Sequence, residues 1–122
     1  VIELATLKAW LLSMPGAVET YPFGVQPLVV KVEGKMFALV NEDAAPLTVS
    51  LKCDPARALF LRDSFPAVQP GYHLNKTHWN TVTLDGSIPE DGIRDMIEES
   101  YRLVVQGLDR AARERIATLQ GE

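Results

Sequence analysis

Between residues 28 and 52 three apolar, strand-like runs, 28–32, 35–40 and 47–52, follow one another across connections too short to cross over a sheet. A parallel pairing needs a crossover of about a dozen residues or more, so these runs can pair only as antiparallel neighbours. Gly34 sits in the first connection and marks a tight turn. Side chains alternate across a strand, which turns Leu47, Val49 and Leu51 to one face and Thr48, Ser50 and Lys52 to the other. The same logic puts Leu28, Val30 and Val32 inward and Lys31 outward.

The flanking segments read as helices and further strands. Leu4, Leu7, Leu11 and Met14 form an apolar stripe at helical spacing, which Pro15-Gly16 ends. Asp54-Pro55 combines a capping oxygen with a proline at the first helical position, and Pro66 limits that helix to about Ser64. Two more strands are expected at 71–75 and 79–84, joined around Thr77. Their core side would carry Tyr72, Leu74, Val82 and Leu84, leaving His73, Asn75, Trp79, Thr81 and Thr83 outward. Ser87-x-x-Glu90 matches a capping box. Beyond it Ile93, Ile97, Ser100, Tyr101, Val104 and Leu108 trace one helical face, Gly107 is a break, and Asp109 caps a last helix to about Leu119. The expected architecture is one domain over 1–122, α+β in two layers. A five-stranded antiparallel sheet carries its helices on one face, in the order α-β-β-β-α-β-β-α-α.

Charge and cysteine usage narrow the function. A formal net charge of −4 argues against a basic field over the whole molecule, so any nucleic-acid contact is expected to be local. The single Cys53 has no partner thiol for a disulfide or zinc site and suits a reducing compartment. No apolar run approaches the ~18 residues that cross a bilayer, and a basic-then-apolar leader is absent. The expectation is a soluble cytoplasmic protein without membrane partners, whose start on Val1 rather than Met reflects trimming.

Chemistry-bearing side chains concentrate in 71–86, with both histidines, Trp79, two asparagines and Lys76. His73 and His78 fall short of the three or four ligands of a zinc site, so no metal and no cofactor is expected. Neither a nucleophile elbow nor a phosphate-binding glycine loop is present, and no catalytic pair can be named. The expectation is a non-enzymatic protein. One reading is a nucleic-acid surface of Lys31, Lys52, His73, Asn75, Lys76, His78 and Trp79, in which the indole offers a stacking platform. The other is a protein- or small-ligand pocket of Tyr21, Phe23, His78, Trp79 and Asn80, between the 21–24 loop and the 78–80 turn.

Tyr21-Pro-Phe-Gly24, Gly34-Lys-Met-Phe-Ala-Leu39, Leu51-Lys-Cys-Asp54, Pro70-Gly-Tyr-His-Leu-Asn-Lys-x-His-Trp-Asn-Thr-Val82 and Glu99-Ser-Tyr-x-Leu-Val104 occur in this order. Together they resemble the MmcQ/YjbR family over nearly the full chain. The resemblance implies an α+β two-layer fold akin to frataxin and to a double-wing DNA-binding domain. It therefore implies DNA as a partner by analogy of fold. Frataxin's dense acidic ridge has no counterpart in the first helix, where Glu3 is the acidic residue.

Overall fold

A computed structural model describes residues 2–121. The described chain runs α1 (Leu4–Leu12), β1 (Ala17–Thr20), β2 (Leu28–Val32), β3 (Lys35–Asn41), β4 (Thr48–Lys52), α2 (Pro55–Ser64), β5 (Val68–Pro70), β6 (Trp79–Thr83), α3 (Glu90–Gln106) and α4 (Arg110–Gln120). One antiparallel sheet has the order β1-β2-β3-β4-β6-β5. The expected α+β class is therefore correct, whereas the sheet has six strands rather than five.

Two details account for the difference. β1 is a short edge strand of Ala-Val-Glu-Thr with mostly exposed side chains, so it carries no apolar alternation by which to recognise it. The strand expected at 71–75 lies instead at 68–70. Pairing with β6 continues only as far as the Gly71 N–H, which donates to the Trp79 carbonyl at 2.8 Å. The backbone then leaves the sheet through His73 at φ +58°, a left-handed conformation that no strand accommodates. Tyr72, assigned to the core by alternation, is consequently 71% exposed.

Register fixes the two faces. Leu28, Val30, Ala38, Val40, Val49, Leu51 and Val82 are buried on the helix-covered side. Val29, Leu39, Ser50 and Thr81 form a cross-strand row on the opposite side. In β3 the register shifts, because adjacent Val30 and Lys31 pair with Ala38 and Met36 and leave Phe37 as the extra residue. This bulge keeps Phe37 in the core against Tyr101 while sending Met36 to the open side. Ser100 Oγ accepts from the Lys52 N–H at 2.8 Å and donates to the Phe37 carbonyl at 2.5 Å, bridging β3 and β4 where their direct pairing stops.

The helix signals mostly hold. Asp54 caps α2 through the Arg57 N–H at 3.3 Å, and Asp109 caps α4 through the Ala112 N–H at 2.8 Å. The Ser87 capping box does not form, since the Ser87 hydroxyl donates to Asp85 at 2.6 Å and α3 starts three residues later. Glu90 and Asp91 lie in its first turn, where their charge complements the helix dipole.

Candidate functional site, a cleft over the open sheet face

Helices cover one side of the sheet, and two loops wall in the other. The 21–27 loop brings Phe23, Gln26 and Pro27 to one side, and the segment after β5 brings Tyr72, His73 and Leu74 to the other. Between them lies a cleft of about 640 Å³, floored by Met36, Leu39, Asn41, Thr48, Ser50 and Thr81, with Asp43 at its margin. That volume lies within the range of small-molecule sites, about 300–1,000 Å³. Phe23 on the first wall is 73% exposed, and Val25 of the same loop is 92% exposed.

Both walls are tied down. The Tyr21 hydroxyl donates to Glu42 at 3.0 Å and Gln26 Nε2 donates to Asp43, which fastens the first loop to the β3–β4 connection. Burial and the neighbouring Glu42 carboxylate hold the Tyr21 phenol above its ordinary pKa, so it stays a donor. At the base of this loop Lys8 and Glu19 pair at 2.6 Å, an interaction that lowers the carboxyl's pKa and raises the ammonium's. The second wall is anchored to the floor, because the Tyr72 N–H donates to Thr81 Oγ1 at 3.0 Å. Thr81 Oγ1 lies 2.8 Å from Ser50 Oγ in turn. The Tyr72 and His73 rings meet at 4.0 Å.

The remaining signature residues build the hairpin that carries this wall. Asn75 Oδ1 accepts from the Thr77 N–H at 2.9 Å and the His78 N–H at 3.3 Å, closing an Asx-type turn. Lys76 Nζ donates to the Gly71 carbonyl at 3.0 Å. Gly71 itself must lack a side chain, since a Cβ there would stand 2.8 Å from that of Trp79. Arg62 of α2 donates to Asn80 Oδ1 at 2.7 Å, to the Trp79 carbonyl at 3.3 Å and to the Lys76 carbonyl. Asn80 is buried on the helix side and donates to the Ala58 carbonyl at 3.4 Å.

Placed in this frame, the expected site residues separate. Phe23 and His73 line the cleft, Tyr21 props its wall, and Asn75, Lys76 and Asn80 hold the hairpin. Lys31 and Lys52 lie on the open face beyond the Met36 end of the floor, with Trp79 paired to Lys52. His78 is exposed and outside the cleft lining, though its carbonyl accepts from the Cys53 N–H at 2.7 Å. The aromatic pocket expected among Tyr21, Phe23, His78, Trp79 and Asn80 is thus replaced by one in which Tyr72, His73 and Leu74 face Phe23. Sequence reasoning missed Met36 and Leu39 as floor, because the bulge that aligns them is invisible to alternation. It also missed Arg62, which carries no local signal in the α2 sequence.

A second cluster lies between α2 and α3. Buried Glu99 accepts from Arg57 Nε at 2.7 Å, from the Asp54 N–H at 3.3 Å and from Cys53 Sγ at 3.6 Å. Burial first, and the Glu99 carboxylate second, push the Cys53 thiol up from 9.0 to about 12. A buried thiol held in its protonated form is expected to react slowly. Ellman's reagent at pH 8 should modify it at least about 100-fold more slowly in the native protein than in urea. The raised pKa also has a stability consequence: between pH 9.0 and about 12 the unfolded chain loses this proton while the fold keeps it. The stabilisation present below pH 9.0 should therefore decline as pH rises through that window. Fast native labelling at pH 8 would contradict both expectations.

Among the described residues no three His, Cys, Asp or Glu side chains converge as metal ligands. No described helix is long and apolar enough to cross a membrane.

The YjbR family model matches residues 12–103. YbdF, an uncharacterized protein of Escherichia coli O157:H7, is 37% identical over 111 residues, covering 91% of this chain and 91% of its own. The uncharacterized YjbR of Escherichia coli K12 is 35% identical over 118 residues, covering 97% of this chain and all of its own (100%). Deinococcus radiodurans protein DR2400, whose crystal structure carries the DUF419 domain, superposes with a TM-score of 0.88 at 39% identity. That superposition covers 94% of this chain and 88% of DR2400.

Proposed function

The chain belongs to the YjbR family, and we propose that it is a non-enzymatic binding domain whose site is the loop-walled cleft, taking a small, largely apolar molecule. One observation carries this reading. The open face of a one-sided antiparallel sheet is ordinarily polar and solvated. Here Met36, Leu39, Pro27 and Phe23 give that face an apolar, concave centre of about 640 Å³. Thr48, Asn41 and His73 supply a few polar groups that can orient a ligand. The Ser50 and Thr81 hydroxyls are occupied with one another and with the loop backbone, which suits holding a molecule rather than attacking it.

DNA held across the same face by Lys31, Lys52, Lys76 and Trp79 has weaker support. The Lys76 ammonium is engaged by the Gly71 carbonyl, and the titratable groups that line the cleft are Asp43, Tyr72 and His73, with no Lys or Arg among them. The test is titration with the uncharged dye Nile red, whose emission rises in apolar sites. Saturable binding is expected, weakened at least about tenfold by Leu39→Glu, which places a charge on the apolar floor. Phe23→Ala, at an exposed position whose loss spares the core, should weaken it by a smaller factor. Absence of dye binding, together with salt-sensitive binding of duplex DNA that Lys52→Ala and Lys76→Ala abolish, would replace the cleft reading by the DNA reading.

A further inference from the structure

We infer that the ligand of this cleft is an amphipathic carboxylate, an apolar body bearing one anionic group, with the anion held at the Met36 end by Lys31 and Lys52. The inference rests on the cleft being the binding site. It comes from the way the sheet register distributes charge along that face.

Lys31 is the cross-strand partner of Met36, which lines the cleft. Lys52 lies two residues beyond Ser50 on β4, on the same open face, and is paired with Trp79 of β6. The two lysines sit on β2 and β4 with β3 between them, so their backbones are at least two strand spacings, roughly 10 Å, apart, a gap that two extended lysine side chains can span around one small anion. Both are half-buried, with aliphatic stems able to lie along the apolar floor while the ammoniums turn toward a ligand.

Neither ammonium has a carboxylate partner among the described residues. The opposite margin carries Asp43, which disfavours an anion at that end and sets the direction in which the ligand lies. A polyanion gains nothing from this layout, since only one end of the cleft is cationic. A single carboxylate matches it and would make charge-assisted hydrogen bonds there.

The test uses the full chain and displacement of bound Nile red by three ligands with the same ten-carbon tail: decanoate, decanol and decyltrimethylammonium. Decanoate should displace the dye at about tenfold lower concentration than decanol, the effect of two partly exposed ion pairs. The cation should be the weakest. High salt should shrink the decanoate advantage. The Lys31→Met/Lys52→Met double variant should remove it while leaving displacement by decanol unchanged. Equal potency of decanoate and decanol in the parent, with the dye still bound, would overturn the carboxylate inference and leave the cleft reading standing. Failure of the dye itself to bind would remove both.

Discussion

Phe37→Ala should lower the free energy of unfolding by about 3–5 kcal/mol, measured by urea denaturation followed by circular dichroism. The side chain is fully buried at 0% exposure and meets Tyr101 edge-on, with ring centroids 5.3 Å apart and planes at 84°. Its loss removes a large apolar volume from the middle of the core, and the surrounding strands can close only part of the cavity. Phe37 is also the extra residue of the β3 bulge. Its burial and the Ser100 hydrogen bond to its carbonyl hold the shifted register, which in turn puts Met36 on the cleft floor. The same variant should therefore weaken Nile red binding under conditions where the protein is still folded. A destabilisation below about 1 kcal/mol, the size typical of an average substitution, would mean that Phe37 is not the anchor of the bulge.

Asn80→Ala is expected to cost about 2–3 kcal/mol in the same measurement, reflecting a buried hydrogen bond to a charged group and the partner left behind. Asn80 is 3% exposed, with Oδ1 accepting from Arg62 Nε and Nδ2 donating to the Ala58 carbonyl. Alanine would remove the second hydrogen bond to the Ala58 carbonyl and one of three acceptors that hold the Arg62 guanidinium under the hairpin. The expected profile is a lowered melting temperature with ligand affinity preserved in the folded fraction. A variant as stable as the parent that had lost ligand binding would move Asn80 from the scaffold to the site.

These two residues illustrate what kind of information a linear sequence carries. Asp54-Pro55, Asp109 and the α3 stripe were legible because a helix start and a helix face depend on neighbours within a few residues. β2, β3 and β4 were legible for the same reason, as was the outward direction of Lys31, Lys52 and Trp79. Asn80 stood out as a residue that strand propensity disfavours, yet its partners Arg62 and Ala58 belong to another element, and nothing local identifies them.

The sequence by itself determined an α+β domain with an antiparallel sheet, its helices on one face and its family, since these rest on local periodicity and on motif order. Tertiary structure decided the rest. The edge strand β1 exists because β2 offers it a hydrogen-bonding edge, not because Ala-Val-Glu-Thr favours extension. Residues 71–75 leave the sheet because Asn75, Lys76 and Arg62 close a turn beneath them. The cleft floor depends on a one-residue bulge stabilised by a serine 63 residues away in sequence. Each of these is a long-range pairing, and alternation along a single strand contains no information about which distant group will complete it.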